Sequence, residues 1–348
     1  MQDKNEIIRF ECDYAEGAHP LIMERLLETN MEQTPGYSED FHCDRARKLI
    51  REECGRPDAD VHFLVGGTQA NLTVIAALLR PHQGVIAADC GHINVHETGA
   101  IEATGHKVLT VRGHDGKVLA ADVQAIYDAH WGDPTFEHMV QPGMVYISNP
   151  NEIGVIYTKA ELEALSAACR ERGLPLFIDG ARLGYGLASP ACDYTMRDMA
   201  KLCDVFYIGG TKVGALFGEA VVILNEALKK DFRYIMKQRG GMLAKGRLHG
   251  VQFETLFENG LYGKISKHAV KLALEIKAAC QQAGCSFLVD SSTNQQFPIM
   301  PDKKLAELTK KYAFSIMQKP DAEHTVIRIC TSWATKEERV RELIEDLK

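Results

Sequence analysis

Two ionisable residues stand at matching places in this sequence. Lys212 follows an apolar run and a glycine turn, Val205-Phe206-Tyr207-Ile208-Gly209-Gly210-Thr211, and Asp179 closes the run Phe177-Ile178 before Gly180-Ala181-Arg182. Each pattern predicts a buried strand that carries one charged side chain just past its C-terminal end. A lysine amine so placed can hold an aldehyde as a Schiff base. A carboxylate beside a pyridine nitrogen keeps that nitrogen protonated, so the ring accepts electrons. Together these are the requirements of pyridoxal 5'-phosphate (PLP) chemistry. Taken alone, the pair also reads as a surface lysine near a loop aspartate.

Three further segments narrow that reading. Gly66-Gly67-Thr68-Gln69-Ala70-Asn71 follows the short apolar stretch 61–65 and opens a helical run to Arg80. Glycines admit an anion close to the backbone, and the helix start presents free N–H groups and a positive dipole end. No Walker spacing and no Gly-x-Gly-x-x-Gly is present, so a small phosphate is expected rather than a nucleotide. His92 follows the strand-like run 85–88. Its imidazole can stack on a flat ring and exchange protons near neutral pH. His96, one helical turn on, is a candidate behind it. Ser148-Asn149-Pro150-Asn151-Glu152 follows the strand-like run 144–147. It reads as a plain turn, or as a loop that sets Asn149 or Asn151 beside the cofactor or substrate.

In this order the segments resemble the PLP-dependent threonine aldolase family, within the fold-type I beta-eliminating lyases. Gly66-Gly67-Thr68-Gln69-Ala70-Asn71 is similar to the family's Ser-Gly-Thr-x-x-Asn turn, and Asp89-Cys90-Gly91-His92-Ile93 resembles Asp-Ser-His-Ile with one residue added. Ile178-Asp179-Gly180-Ala181-Arg182 is the most specific match, Gly210-Thr211-Lys212 stands where the family has Ser-Lys, and Val326-Ile327-Arg328-Ile329 resembles its C-terminal arginine strand. The resemblance spans the chain from about Phe10 onward. It implies Lys212 as the Schiff-base lysine, Asp179 as the pyridinium partner and His92 as the stacking histidine. Gly67 and Thr68 would hold the phosphate with Thr211 beside them. Arg182 and Arg328 would hold the substrate carboxylate, as a guanidinium fork can. It also implies a homodimer or homotetramer.

Departures from the family pattern touch the substrate side. Cys12, in Glu11-Cys12-Asp13-Tyr14, replaces a serine that helps bind the carboxylate, and Asn151 replaces a histidine that would contact a β-hydroxyl. The loop Arg239-Gly240-Gly241-Met242-Leu243-Ala244-Lys245-Gly246-Arg247 keeps its glycines and shifts its basic residues. Lys245 and Arg247 either reach a neighbouring subunit's phosphate or merely begin the next helix.

The rest of the sequence must position these groups. Strand-like runs near 61–65, 85–88, 108–111, 144–148, 176–178, 205–208 and 220–223 alternate with helical ones such as Leu162 to Arg172 and Asp193 to Leu202. This predicts an α/β fold with a mainly parallel, buried sheet in a large domain, residues 1–240. Two long helices, about 248–260 and 262–283, then precede short strands near 296–300, 314–318 and 325–330 and a charged amphipathic helix, Lys336 to Leu347. These predict a smaller α+β domain, 241–348. The chain has 348 residues, a net charge of -7 with both signs interspersed, and ten cysteines without a zinc spacing. A nucleic-acid role, a metal site and a membrane span are therefore not expected. The polar start Met1-Gln2-Asp3-Lys4-Asn5-Glu6 lacks an export-signal core, which points to the cytoplasm.

The expected reaction is cleavage of the Cα–Cβ bond of a threonine-like β-hydroxy-α-amino acid to glycine and an aldehyde, with His92 or a water it holds taking the hydroxyl proton. β-Elimination, transamination and non-catalytic PLP binding remain alternatives at this stage.

Overall fold

The computed structural model describes residues 7–348; the polar start Met1 to Glu6 lies outside the described residues. A short strand, β1 (Ile8–Arg9), precedes helices α1 (Pro20–Glu28) and α2 (Phe41–Cys54). The central sheet then begins with β2 (Asp60–Leu64), α3 (Gly67–Leu78), β3 (Gln83–Ala88), the single turn α4 (His92–Val95) and β4 (Val108–Val111). It continues through α5 (Ala120–Gly132), β5 (Gln141–Ser148), α6 (Lys159–Glu171), β6 (Leu176–Asp179), α7 (Leu183–Leu187) and α8 (Met196–Met199). Strands β7 (Val205–Gly209) and β8 (Glu219–Ile223) complete it, before α9 (Phe232–Gln238) and α10 (Arg247–Phe257).

The seven strands lie in the order β2-β8-β7-β6-β5-β3-β4. The neighbours from β7 to β4 pair in parallel, whereas β8 runs antiparallel to both β7 and β2. Two reversals restore the direction of β2 to that of β7. The C-terminal ends of β2, β3, β5, β6 and β7 therefore open on one edge of the sheet, together with the start of β8. Successive side chains of a strand face opposite sides. Val205 and Tyr207 accordingly enter one core and Phe206 and Ile208 the other, and the strands are apolar on both faces because helices cover both.

The helix expected over Asp193 to Leu202 is a single turn. Thr195 accepts from the Asp198 N–H and starts α8 there, while Tyr194 is held outside it by the Asn149 amide. The chain must then turn into β7.

The boundary expected at residue 240 does not coincide with the packing. α10 packs on α2, and Phe253 and Leu256 enter the core of the large sheet. The 22-residue α11 (Leu261–Gln282) spans both regions: Ile265, Ala269 and Val270 face the large core, and Leu272, Ile276 and Cys280 face the small one. Beyond it lie β9 (Ser286–Phe287), β10 (Gln295–Gln296), β11 (Pro298–Pro301), α12 (Asp302–Leu308), β12 (Tyr312–Ala313), β13 (Ser315–Gln318), β14 (His324–Cys330) and α13 (Glu337–Leu347). These strands form an antiparallel sheet around β14, apart from β12, which pairs with β1. Ile8 and Phe10 pack in the small core, so the N-terminal strand belongs there rather than with the large region. No helix among the described residues is long and apolar enough to cross a membrane.

Candidate active site

At the shared strand edge lies a cavity of about 380 Å³. Lys212, Asp179, His92, Gly67, Thr68, Thr211 and Arg182 all line it, so seven of the residues singled out in the sequence meet in one place. Close backbone packing shapes its floor: a Cβ on Gly180 would stand 2.0 Å from the Tyr207 carbonyl oxygen, and one on Gly209 would stand 2.3 Å from that of Ala181.

Asp179 is buried, and neutral donors surround it. Its Oδ1 accepts from the Tyr207 hydroxyl at 2.5 Å and the Ala181 N–H at 2.9 Å; its Oδ2 accepts from the Tyr146 hydroxyl at 2.6 Å and the Asn71 amide at 3.0 Å. No charged side chain among the described residues hydrogen-bonds to it, so its charge remains to meet a cation, although a new donor would have to displace one of these four.

Lys212 is enclosed. Burial and the Arg182 charge push its pKa down, against Asp13, Asp179 and Glu219, which favours the neutral amine needed for nucleophilic attack. Glu219, at the start of β8, is pushed up to about 8 by burial, against the Thr211 hydrogen bond and the Lys212 charge. The Tyr185 hydroxyl donates to the Lys212 carbonyl at 2.6 Å and fixes the turn.

His92 begins α4, with Nδ1 held by Glu97 Oε1 at 2.7 Å. Burial lowers its pKa, but the Glu97 hydrogen bond and the Asp179 charge outweigh that, so the net shift is upward. With Nδ1 engaged, Nε2 is left for the cavity. His96 has its ring 5.7 Å from that of His92, is exposed, and does not line the cavity.

At the start of α3, Gly66 is the cap residue and no side chain caps the helix. The N–H groups of Gly67, Thr68 and Gln69 have no acceptor among the described residues. Three open N–H groups at a helix start, with the Thr68 hydroxyl, suit a phosphate. A Cβ on Gly67 would lie 3.1 Å from the Tyr207 hydroxyl, so a larger residue would crowd the group that holds Asp179. A pyridine ring with an aldehyde and a phosphate arm fits this donor set: a carboxylate for the ring nitrogen, an enclosed amine for the aldehyde and open N–H groups for the phosphate.

Several expectations need correction. Asn151 lies at the cavity edge, but its amide is engaged with backbone: Nδ2 donates to the Asp115 carbonyl at 2.7 Å, and Oδ1 accepts from Ile153 and Val155. Asn149 donates to the Tyr194 hydroxyl at 2.6 Å and does not line the cavity. These two asparagines shape the loop. The polar groups it turns inward are Ser148 and Glu152. Arg182 lines the cavity with its fork committed to Asp13, Nε–Oδ2 at 2.6 Å and Nη2–Oδ1 at 2.9 Å, which leaves Nη1. Arg328 does not line the cavity: Nη2 donates to the Glu11 carbonyl at 2.7 Å and to the Ser315 hydroxyl, and the buried Nε has no partner among the described residues. Cys12 does not line the cavity, whereas the neighbouring Tyr14 does. Arg247 donates to the carbonyls of Thr29 and Asn30 of its own chain.

Residues not anticipated from the sequence complete the site: Asp13, Glu97, Tyr146, Glu152, Tyr207 and Glu219. Tyr146 and Tyr207 carried a signal, since each puts a hydroxyl inside an otherwise apolar strand and so demands a buried acceptor.

Residues 13–302 match the beta-eliminating lyase family. The whole chain aligns at 29% identity with the low specificity L-threonine aldolase of Pseudomonas sp., covering 99% of that protein. Among solved structures, the Leishmania major threonine aldolase is 47% identical with a TM-score of 0.95, over 98% of each chain. The Thermus thermophilus aspartate aminotransferase, 15% identical with a TM-score of 0.70 over 99% of this chain and 91% of its own, shares the fold alone. The fold-type I architecture expected from the sequence is borne out.

Proposed function

The chain belongs to the beta-eliminating lyase family, and from that premise we propose that it is a PLP-dependent aldehyde-lyase. It cleaves the Cα–Cβ bond of a threonine-like β-hydroxy-α-amino acid to glycine and an aldehyde. The observation that carries this reading is the meeting of an enclosed lysine, a buried aspartate with only neutral partners and an open helix start in one cavity. The likeness to threonine aldolases selects the reaction among those such a site supports.

The residues divide the work. Gly67 and Thr68, with Thr211 beside them, would hold the phosphate, Asp179 would hold the ring nitrogen, and Lys212 would supply the amine for the aldehyde. Bound PLP supplies an electron sink that lowers the energy of a carbanion at Cα. Arg182 would offer its remaining Nη1 to the substrate carboxylate and so set the orientation of Cα. Arg328 acts behind it by bracing the segment Glu11 to Asp13, which carries the partner of Arg182. His92, through Nε2, takes the β-hydroxyl proton, and Glu97 fixes the imidazole so that Nε2 faces the cavity.

The chain works as a homo-oligomer in this reading, because Leu27, Met31, Phe41 and Tyr234 are two-thirds or more exposed and suit burial against a second copy. Ten unpaired cysteines support a reducing, cytoplasmic location. The test is product analysis: incubation with L-threonine, L-allo-threonine and phenylserine should release glycine and the matching aldehyde. Pyruvate-type oxo acids with ammonia, or amino-group transfer, would replace this reading with β-elimination or transamination.

A further inference from the structure

Asp179 has no vacant position for a ring nitrogen as it stands. A carboxylate offers about four lone-pair sites. All are taken, by Tyr207, Ala181, Tyr146 and Asn71. A pyridinium N–H must therefore displace one donor, and a buried donor that loses its acceptor costs free energy. The four differ in what they could do next. The Ala181 N–H is backbone and has no other acceptor. Tyr207 donates to Asp179 alone. Asn71 is fully buried and its amide also donates to Glu97 Oε1 at 2.7 Å; Glu97 Oε2 has no partner among the described residues, but reaching it would need the whole buried amide to move and not one hydroxyl to turn.

Tyr146 is different. Its hydroxyl oxygen lies 3.1 Å from Ser148 Oγ. Ser148 donates its own proton to Glu152 Oε1 at 2.7 Å, so the lone pairs of Ser148 Oγ are free to accept. Glu152 Oε1 also accepts from the His92 N–H at 2.8 Å, which anchors the carboxylate at the start of α4. Resting on the PLP reading above, we propose that Tyr146, Ser148 and Glu152 form a hydrogen-bond handover: when the ring N–H arrives, the Tyr146 hydroxyl turns from Asp179 Oδ2 to Ser148 Oγ. Only a hydroxyl torsion changes, and no buried group is left without a partner. Burial and the charges of Asp179 and Glu152 hold the Tyr146 pKa well above its usual value, so it stays a donor throughout. Ser148 and Tyr146 are positioning residues for the cofactor; neither takes part in bond making.

The handover makes a specific pattern in binding. The full chain is stripped of PLP, and PLP is titrated back with the change in protein fluorescence as the signal. Ser148→Ala removes the second acceptor, so the ring must compete with Tyr146 for Asp179, and the Kd for PLP should rise about tenfold or more. Tyr146→Phe removes the competitor and should bind PLP at least as tightly as the wild type. The double variant should then match Tyr146→Phe alone. Ser148→Ala binding like the wild type overturns the handover, as does a double variant as weak as Ser148→Ala, which marks Ser148 as a plain structural support. Failure of the wild-type chain itself to bind PLP overturns the cofactor reading and the handover with it.

Discussion

Two buried aspartates, Asp179 and Asp13, act on the cavity around Lys212, and the sequence surrounds them in opposite ways. Asp179, at the end of a central strand, receives only neutral donors. Asp13, from the N-terminal segment, is clamped by the Arg182 guanidinium and by the Asn294 amide. Burial pushes the Asp13 pKa up, but Arg182 and Lys212 more than reverse this and hold it below the ordinary carboxylate value. In the PLP reading, the carboxylate that would meet the ring has no cation hydrogen-bonded to it among the described residues, although Lys212 feels its charge, whereas the one that builds the wall is neutralised in place. The first is a reagent and the second a brace, and substitution should separate the two.

The largest effect belongs to the group between them. Lys212→Ala removes the enclosed amine, and turnover should fall by at least about 10³-fold, with loss of the visible absorbance of lysine-bound cofactor. A variant that keeps wild-type rate and spectrum would remove PLP chemistry from this cavity.

Asp179→Asn should cost roughly 10²- to 10⁴-fold in turnover, the range of a lost proton-holding group, while the phosphate anchors at Gly67 and Thr68 still retain cofactor. Its stability should fall less than that of Asp13→Ala, because an amide oxygen in the Oδ1 position still accepts from Tyr207 and Ala181, and the Tyr146 hydroxyl can turn to Ser148 and accept from the new NH2. Asp13→Ala leaves Arg182 buried without its ion pair, a loss of about 3–5 kcal/mol that urea denaturation would read. Equal stability losses in the two variants would break the distinction between reagent and brace.

Arg328 tests how far the bracing extends. It reaches the cavity only through the Glu11 carbonyl, two residues from Asp13. Arg328→Lys should raise KM about tenfold, with the resting spectrum unchanged, since lysine cannot span Glu11, Ser315 and Gln295 together. Loss of bound cofactor in this variant would place Arg328 on the cofactor side instead.

The same contrast explains what was legible in the sequence. The reagent side sits at strand ends. Lys212, Asp179, His92 and the Gly66-Gly67-Thr68 turn each follow an apolar run of a parallel sheet, and that topology gathers such positions on one edge. The bracing side is assembled from segments far apart in sequence, joining Asp13 to Arg182 and Asn294, and Glu11 to Arg328. Nothing in local pattern says which residue faces which. Asn151 shows the cost of reading a loop by residue type alone: its amide faces inward to its own backbone, and the neighbouring Glu152 faces the cavity. The pairing of β1 with β12 is not legible in the sequence, because a two-residue strand carries too little periodicity to reveal it.

The smallest effect is a shift in pH, and it separates His92 as base from His92 as ring support. The Glu97 hydrogen bond and the Asp179 charge hold the His92 pKa above its usual value, against burial, which is the largest single influence and acts downward. A base must be unprotonated to accept the hydroxyl proton, so cleavage should fall as pH drops through this raised pKa, and the acid limb of kcat/KM should lie above that of a free imidazole. Glu97→Gln keeps an acceptor for Nδ1–H but removes the charge. Burial then acts with less opposition, the His92 pKa falls, and the acid limb should move to lower pH. The direction of the limb is the readout, because loss of packing around the imidazole would lower the rate at every pH without moving it. A limb that stays in place in Glu97→Gln, while the rate falls uniformly, would leave His92 as a support for the ring and assign the hydroxyl proton to another group on the cavity wall.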